Sequence, residues 1–328
     1  FQTWLDGFGY SADEFFPAAY GGNGTGAGTG HDIWSLSSPY YDGDLMETGN
    51  TLPGSGQSMP FYYSNSGGAA SETKRTFAMP QDWTVGGTQT LALSFYGDPE
   101  NAGQLYVKIN SAKVVYDGPE NAMKTPYWTQ WNIDLSSLGT NLQSVTTLAI
   151  GVDGSNATGM LLIDDIQLYR EAPATGGEQV WLEAESASIS APLQVYSDMT
   201  DASGGSYIGT DDLGNQGDQS EGIASFTFTV QGGTYKINAR VIAADAGDSF
   251  WIRLPSAILN TTPPAANNNW VRYNGIPHGN SWHWDDIHND EDGSIAVHFT
   301  LTAGTHTLEI GYREDGALLD AIVITDQL

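Results

Sequence analysis

Helical periodicity is almost missing from this chain, and that confines it to folds built from strands. In its place stand short runs of alternating apolar and polar residues: Thr90–Phe95 (TLALSF), Gln104–Ile109 (QLYVKI), Trp131–Leu135 (WNIDL), Thr147–Val152 (TLAIGV) and Leu161–Leu168 (LLIDDIQL). The second half continues with Ala224–Val230, Tyr235–Val241, Ser249–Leu254, Ile295–Leu301 and Thr305–Tyr312. Each run is bounded by Gly, Asn, Asp or Pro, whose backbone preferences suit turns. Alternation sends one face of a strand to a core and the other to solvent, and many such strands at close spacing predict sandwiches. The expected fold class is all-β, as two tandem β-sandwich (jelly-roll) domains.

The 328 residues suffice for two ordinary domains. The linker is expected at Glu171–Glu178 (EAPATGGE), giving domains at residues 1–171 and 178–328. The run Gly21–Gly30 (GGNGTGAGTG) predicts a flexible loop. With no cysteine, no disulfide supports either domain. Acidic residues outnumber basic ones 39 to 11, for a formal charge of −28. Nucleic acid and anionic membranes need Lys and Arg to displace counterions, so both are excluded as partners. An acidic surface fits divalent cations, a saline setting or plain solubility. No apolar run approaches membrane-spanning length and no signal peptide is visible. Starting at Phe1 without a methionine, the chain reads as a mature or excised fragment.

The two ends of the second domain are the most informative. Trp181–Ser186 (WLEAES) opens it and Tyr312–Gln327 (YREDGALLDAIVITDQ) closes it, which places Glu183, Glu185 and Asp320 on neighbouring strands of an antiparallel sandwich. Three converging carboxylates repel one another unless a hard cation lies between them, and Ca²⁺ with oxygen ligands suits that position. Asp320 is in phase with Ile322 and Ile324, as Asp164 is with Ile166 and Leu168. A carboxylate on a core-facing side must be paired or bind a metal, so both domains are expected to end with one device, and Asp164 is a second candidate ligand.

Aromatic side chains are the other candidates. The C–H face of a sugar ring packs on Trp or Tyr while its hydroxyls seek polar partners. Trp270, Tyr273, Trp282 and Trp284 fall in a long polar segment, residues 260–292, where loop positions on a rigid sandwich suit binding. For Trp284 with Asp285 the alternative is anchoring of the loop. Arg313, Glu314 and Asp315 occupy the turn before the last strand, either as hydrogen-bonding partners of a sugar or as a solvated turn. Trp251 alternates with Phe250 and is expected to face outward, and Trp83, Tyr96, Trp128 and Trp131 divide between stacking and core. His283, Asp285, Asp286 and His288 lack the helical spacing that converges transition-metal ligands and read as a chance grouping. No compact acid pair, no G-x-S-x-G elbow and no phosphate loop in a strand–helix context is present, so a non-catalytic protein is expected.

The second half, from Trp181 to Asp326, resembles the jelly-roll carbohydrate-binding modules of families 6 and 35. The matching segments are Glu183-Ala184-Glu185, Ala202–Ile208 (ASGGSYI), Gly233–Arg240 (GTYKINAR), Asp248-Ser249-Phe250, Trp282–Asp285 (WHWD), Gly304–Leu308 (GTHTL) and Arg313–Asp320 (REDGALLD). The resemblance implies a structural Ca²⁺ held by Glu183, Glu185, Asp320 and the backbone of Ser203. The first half is similar to a jelly-roll domain repeated in large secreted proteins of aquatic bacteria, through Gln57–Tyr63 (QSMPFYY), Ser71–Trp83 (SETKRTFAMPQDW), Trp128–Leu135 (WTQWNIDL) and Ile163–Leu168 (IDDIQL). That domain would carry an acidic opening strand before Trp4, which the chain does not show.

The function expected is non-catalytic binding of polysaccharide, extracellular or at the cell surface, as an accessory region attached to a larger secreted protein. The rival is a structural or adhesive repeat of a bacterial surface fibre or layer, self-assembling through strand or loop contacts.

Overall fold

The computed structural model describes residues 4–12, 17–31, 44–119, 121–173, 177–211, 214, 216–244 and 247–328. Among them regular structure is strand throughout, and helix is confined to three-residue 3-10 turns. The chain divides into two compact units, Phe1–Gly176 and Gly177–Leu328. Each encloses its own apolar core between antiparallel sheets, so the fold is all-β with two sandwiches.

In the first unit one sheet runs Ala27–Thr29, Met59–Ser64, Thr158–Tyr169, Thr90–Tyr96, Trp128–Asp134 in spatial order. The facing sheet runs Ala70–Gln81, Val145–Asp153, Gln104–Ile109, Ala112–Val115. Phe61, Leu93, Phe95, Val107, Ile150 and Leu161 meet between them. The glycine-rich run expected as a loop contributes the edge strand Ala27–Thr29, paired with Phe61–Tyr63. Its glycines serve close backbone approach: a Cβ on Gly26 would lie 1.8 Å from the Ser64 carbonyl oxygen, which only glycine tolerates.

In the second unit the closing strand Ala317–Thr325 is central. Along one side runs Gly233–Ala243, and along the other lie Tyr207–Gly209 and then the opening strand Gln179–Glu183. The opposite sheet is Ser188–Ile189, Ile223–Val230, Gly304–Tyr312, Ser249–Arg253, Val271–Asn274. Phe226, Phe250, Ile252, Tyr273, Ile310 and Ile324 fill the space between. The segment 260–292 is not one long loop. It supplies Val271–Asn274 to one sheet and Gly279–Asp286 to the other, paired with Ser249–Ile252 and with the strand Gly233–Ala243 at Asn238–Val241.

Both closing strands depart from regular alternation at their acidic residue. Arg240 pairs with Ala321 but Val241 pairs with Leu319, which leaves Asp320 as the extra residue of a β-bulge. Leu319 and Ile322, three apart, both reach the core. In the first unit Ser94 pairs with Asp164 and Ala92 with Gln167, and Asp165 takes a left-handed φ of 50°. The in-phase, core-facing placement expected for Asp320 with Ile322 and Ile324, and for Asp164 with Ile166 and Leu168, is therefore corrected. The bulge turns Asp320 to the face that carries Arg240, away from the core.

Candidate functional site

Four residues expected at a cation site meet at the end of the opening strand, but they divide into two groups. Asp320 is fully buried: its Oδ1 accepts from the Ser203 N–H at 2.9 Å, and its Oδ2 is in an ion pair with Arg240 Nη1. Burial pushes this carboxyl up to about 6, against the opposing pull of Arg240 and the Ser203 amide. Glu183 and Glu185 form the second group. Ser203 Oγ donates to Glu183 Oε1 at 3.0 Å, while Glu183 Oε2 is buried with no hydrogen-bond donor. A Cβ on Gly204 would lie 2.5 Å from Glu185 Oε1 and 3.5 and 3.6 Å from the two Glu Cδ atoms, so both carboxylates converge over this turn. Gly204 also has φ +65°, a conformation that suits glycine.

A buried, undonated carboxylate oxygen beside a second carboxylate fits a hard cation. Asp320 is paired with Arg240, which leaves Glu183 and Glu185 as the carboxylates without a basic partner among the ion pairs of the described residues. Among the described residues no group of three His, Cys, Asp or Glu is arranged to hold a metal ion. In the first unit Asp164 Oδ1 accepts from the Asp165 N–H at 2.7 Å and its Oδ2 is buried without a donor.

The aromatic candidates separate by burial. Trp270 and Tyr273 are 1% and 0% exposed, which corrects their expected role as sugar platforms. Trp270 leads into the strand Val271–Asn274 and is capped by Arg253, whose Cζ lies 4.3 Å from the ring centroid. Tyr273 lies in the core with its hydroxyl donating to Asp285 Oδ2 at 2.7 Å. Trp282 and Trp284 are half-buried on the strand Gly279–Asp286, on the sheet face away from the core. Cross-strand register places Glu183, Ala321, Arg240 and Trp284 in one row, and Trp181, Val323, Asn238 and Asp286 in the next. Directly opposed residues share a face, so Trp181 joins the two tryptophans there.

The rings on this face touch one another. Trp181 meets Trp284 edge-on at 5.6 Å, Tyr207 meets Trp282 at 5.4 Å, and Tyr196 stacks on Tyr207 at 5.5 Å. Arg240 lies with its Cζ 5.6 Å from the Trp282 ring. The indole nitrogens of Trp181, Trp282 and Trp284 are themselves enclosed and have no acceptor among the described residues. Sequence reasoning missed Trp181, Tyr196, Tyr207 and Arg240. A signal existed for Arg240: in GTYKINAR the inward residues Tyr235, Ile237 and Ala239 leave Lys236, Asn238 and Arg240 outward in one line.

The turn Arg313–Asp315 spends its hydrogen bonds internally. Arg313 Nη1 reaches Asn274 Oδ1 at 2.7 Å and Glu314 Oε1 at 2.8 Å. Glu314 accepts from Ser249 and Gln216, and Asp315 Oδ2 accepts from the Gly214 N–H at 2.7 Å. These residues brace the sandwich end and are partly exposed. Trp251 lies under a loop, its indole donating to the Gly217 carbonyl at 3.1 Å. His288 bonds the Asn274 carbonyl at 2.8 Å, and burial raises the Asp285 carboxyl. In the first unit Trp83 and Trp131 are core, while Tyr96 and Trp128 are half-buried with ring centroids 5.7 Å apart.

Comparison with known proteins gives structural likenesses only. The chain is similar to the GH26-CBM35 β-(1,4)-mannanase of Podospora anserina, at 20% identity and a TM-score of 0.32, over 44% of this chain and 27% of the mannanase. It is similar to the C-terminal CBM6 of a marine laminarinase from Zobellia galactanivorans, at 20% identity and TM-score 0.31, over 45% of this chain and 100% of that module. A Paenibacillus xanthan lyase matches at 16% identity and TM-score 0.31, over 82% of this chain and 24% of the lyase. No family model and no curated protein matches.

Proposed function

We propose that the second unit binds a neutral polysaccharide, without catalysis, on the sheet face that carries Trp181, Trp282 and Trp284. One observation carries the reading: Trp181, Trp282 and Trp284, all half-buried, share one face of the sheet. Flat rings supply apolar contact for the sugar's C–H face. Both basic side chains of the face are paired within the protein, Arg240 with Asp320 and Lys236 with Asp286 at 3.6 Å, which favours a neutral glycan over a sulfated or uronate one. Asp320 is enclosed beneath its ion pair, so it does not serve as a substrate-facing acid.

A Ca²⁺ ion held by Glu183 and Glu185 at the Ser203–Gly205 turn belongs to this proposal. The ion would neutralise two crowded carboxylates and rigidify the edge of the binding face, as chain entropy would otherwise favour its opening. The setting proposed is extracellular, where such an ion is available, with the chain working beside other domains. No helix among the described residues is long and apolar enough to cross a membrane.

Calorimetric titration of the protein against neutral plant and algal polysaccharides tests the reading. Saturable binding that Trp282→Ala abolishes, with the fold retained, supports it. Titration of all members without heat, or binding unchanged in Trp282→Ala, ends it.

A further inference from the structure

Of the two tryptophans on the strand Gly279–Asp286, only Trp284 is placed by the strand ladder. Residues 283–286 pair in register with residues 238–241, so that Trp284 lies opposite Arg240. The register then shifts, and pairing resumes only with Gly279 opposite Ala243. Trp282 falls inside the shift, with no partner in that ladder. Such irregularities re-aim side chains, so contacts rather than the ladder decide where its ring points. Two hold it. Tyr207 meets the indole edge-on with ring centroids 5.4 Å apart, and the Arg240 guanidinium lies over the ring with its Cζ 5.6 Å from the centroid.

Arg240 is placed as a brace and not as a contact for a ligand. Its side chain is 6% exposed, too enclosed to reach a sugar. Nη1 is in an ion pair with Asp320 Oδ2 and donates to the Asp201 carbonyl at 3.1 Å. Asp320 is held in turn by the Ser203 N–H at 2.9 Å. The guanidinium is therefore anchored both to the closing strand and to the segment that leads into Tyr207, the other residue that touches Trp282. A buried ion pair is a poor stabiliser compared with apolar residues of similar size, because desolvation cancels much of the attraction. Stability alone does not call for Arg and Asp on a sheet face turned away from the core. A fixed, flat cation supplies what an aliphatic side chain does not: a directional contact that keeps an indole in one orientation.

We infer that Arg240, locked by Asp320, is the positioning residue of the aromatic face: it sets the Trp282 ring in the orientation that a sugar meets, without touching the sugar. The inference rests on the glycan reading of this face and adds how one of its rings is set before binding. A ring already ordered loses little freedom when the ligand arrives, so the clamp acts on affinity.

The test uses the full chain labelled with 5-fluorotryptophan, as the parent, as Trp282→Ala and as the double variant Arg240→Met, Asp320→Leu. The double variant removes both charges together, and urea unfolding checks that its stability stays close to that of the parent. In fluorine NMR the Trp282 resonance, identified by its loss in Trp282→Ala, should shift or broaden in the double variant, while that of buried Trp270 stays in place. Titration with galactomannan, xyloglucan and laminarin should show affinity at least about tenfold weaker in the double variant for each polymer that the parent binds. Should the double variant unfold, Arg240→Lys, which keeps the charge against Asp320 and loses the planar fork, is read in the same way. A parent-like Trp282 resonance overturns the inference, and so does parent-like affinity beside a changed resonance. Binding that Trp282→Ala leaves intact, or no binding by the parent, ends the glycan reading and the clamp's role in it together, an outcome that the parent and Trp282→Ala data identify by themselves.

Discussion

Arg240 and Asp320 form a buried ion pair on the sheet face away from the core, with side chains 6% and 0% exposed. The pair exists because a β-bulge makes Asp320 an extra residue, turned towards Arg240 rather than into the core. It engages the carboxylate expected as the third at the cation site.

Removing one partner strands the other. Arg240→Met leaves Asp320 buried without its counter-charge and is expected to cost about 3–5 kcal/mol near neutral pH. The double variant Arg240→Met, Asp320→Leu removes both charges and should recover most of that loss. Urea unfolding of the two variants measures it, and a double variant as unstable as the single one would show that the pair is not the source.

The same carboxyl shapes the pH dependence of stability. Its folded value, about 6, lies above the ordinary 3.8, so between these pH values the native state keeps a proton that the unfolded chain has released. Its contribution is most favourable below pH 3.8, declines as pH rises to about 6, and is constant above. The whole difference is at most about 3 kcal/mol. Unfolding free energies across this window should fall more steeply in the parent than in Asp320→Asn, and parallel curves would contradict the assignment.

The two tryptophan classes should respond oppositely to truncation. Trp270→Ala empties a core position and is expected to cost about 3–5 kcal/mol of stability. Trp282→Ala, half-exposed, should change stability little and weaken glycan binding by at least about 2 kcal/mol, near thirtyfold. Thermal unfolding and calorimetric titration of both variants separate the roles. Equal stability losses would place Trp282 in the structural class.

Calcium should raise the unfolding temperature of the parent and EDTA should lower it. In Gly204→Ala the added methyl enters the space over which Glu183 and Glu185 converge, 2.5 Å from Glu185 Oε1, so the calcium-dependent increment should disappear. An unfolding temperature indifferent to both calcium and chelator would remove the ion from the proposal.

Alternation at Gln104–Ile109, Thr305–Tyr312 and similar runs made the strands and two sandwiches legible, because a period of two commits each strand to one inward face. The site was legible only in part. Trp282 and Trp284 were found as aromatics in a polar segment, but nothing local separates them from Trp270 and Tyr273, whose burial follows from pairing with Ser249–Ile252. Trp181, Tyr196 and Tyr207 are brought to Trp282 and Trp284 from strands more than seventy residues away along the chain.

The amino-acid sequence by itself determined the class of structure, the acidic character and the carboxylates at the start and end of the second unit, since periodicity and charge are properties of the chain. Only the tertiary structure decided which carboxylate goes with which partner. A bulge of one residue reverses the face of Asp320, and no local pattern records it, because the extra residue is defined by the register of a strand some eighty positions earlier.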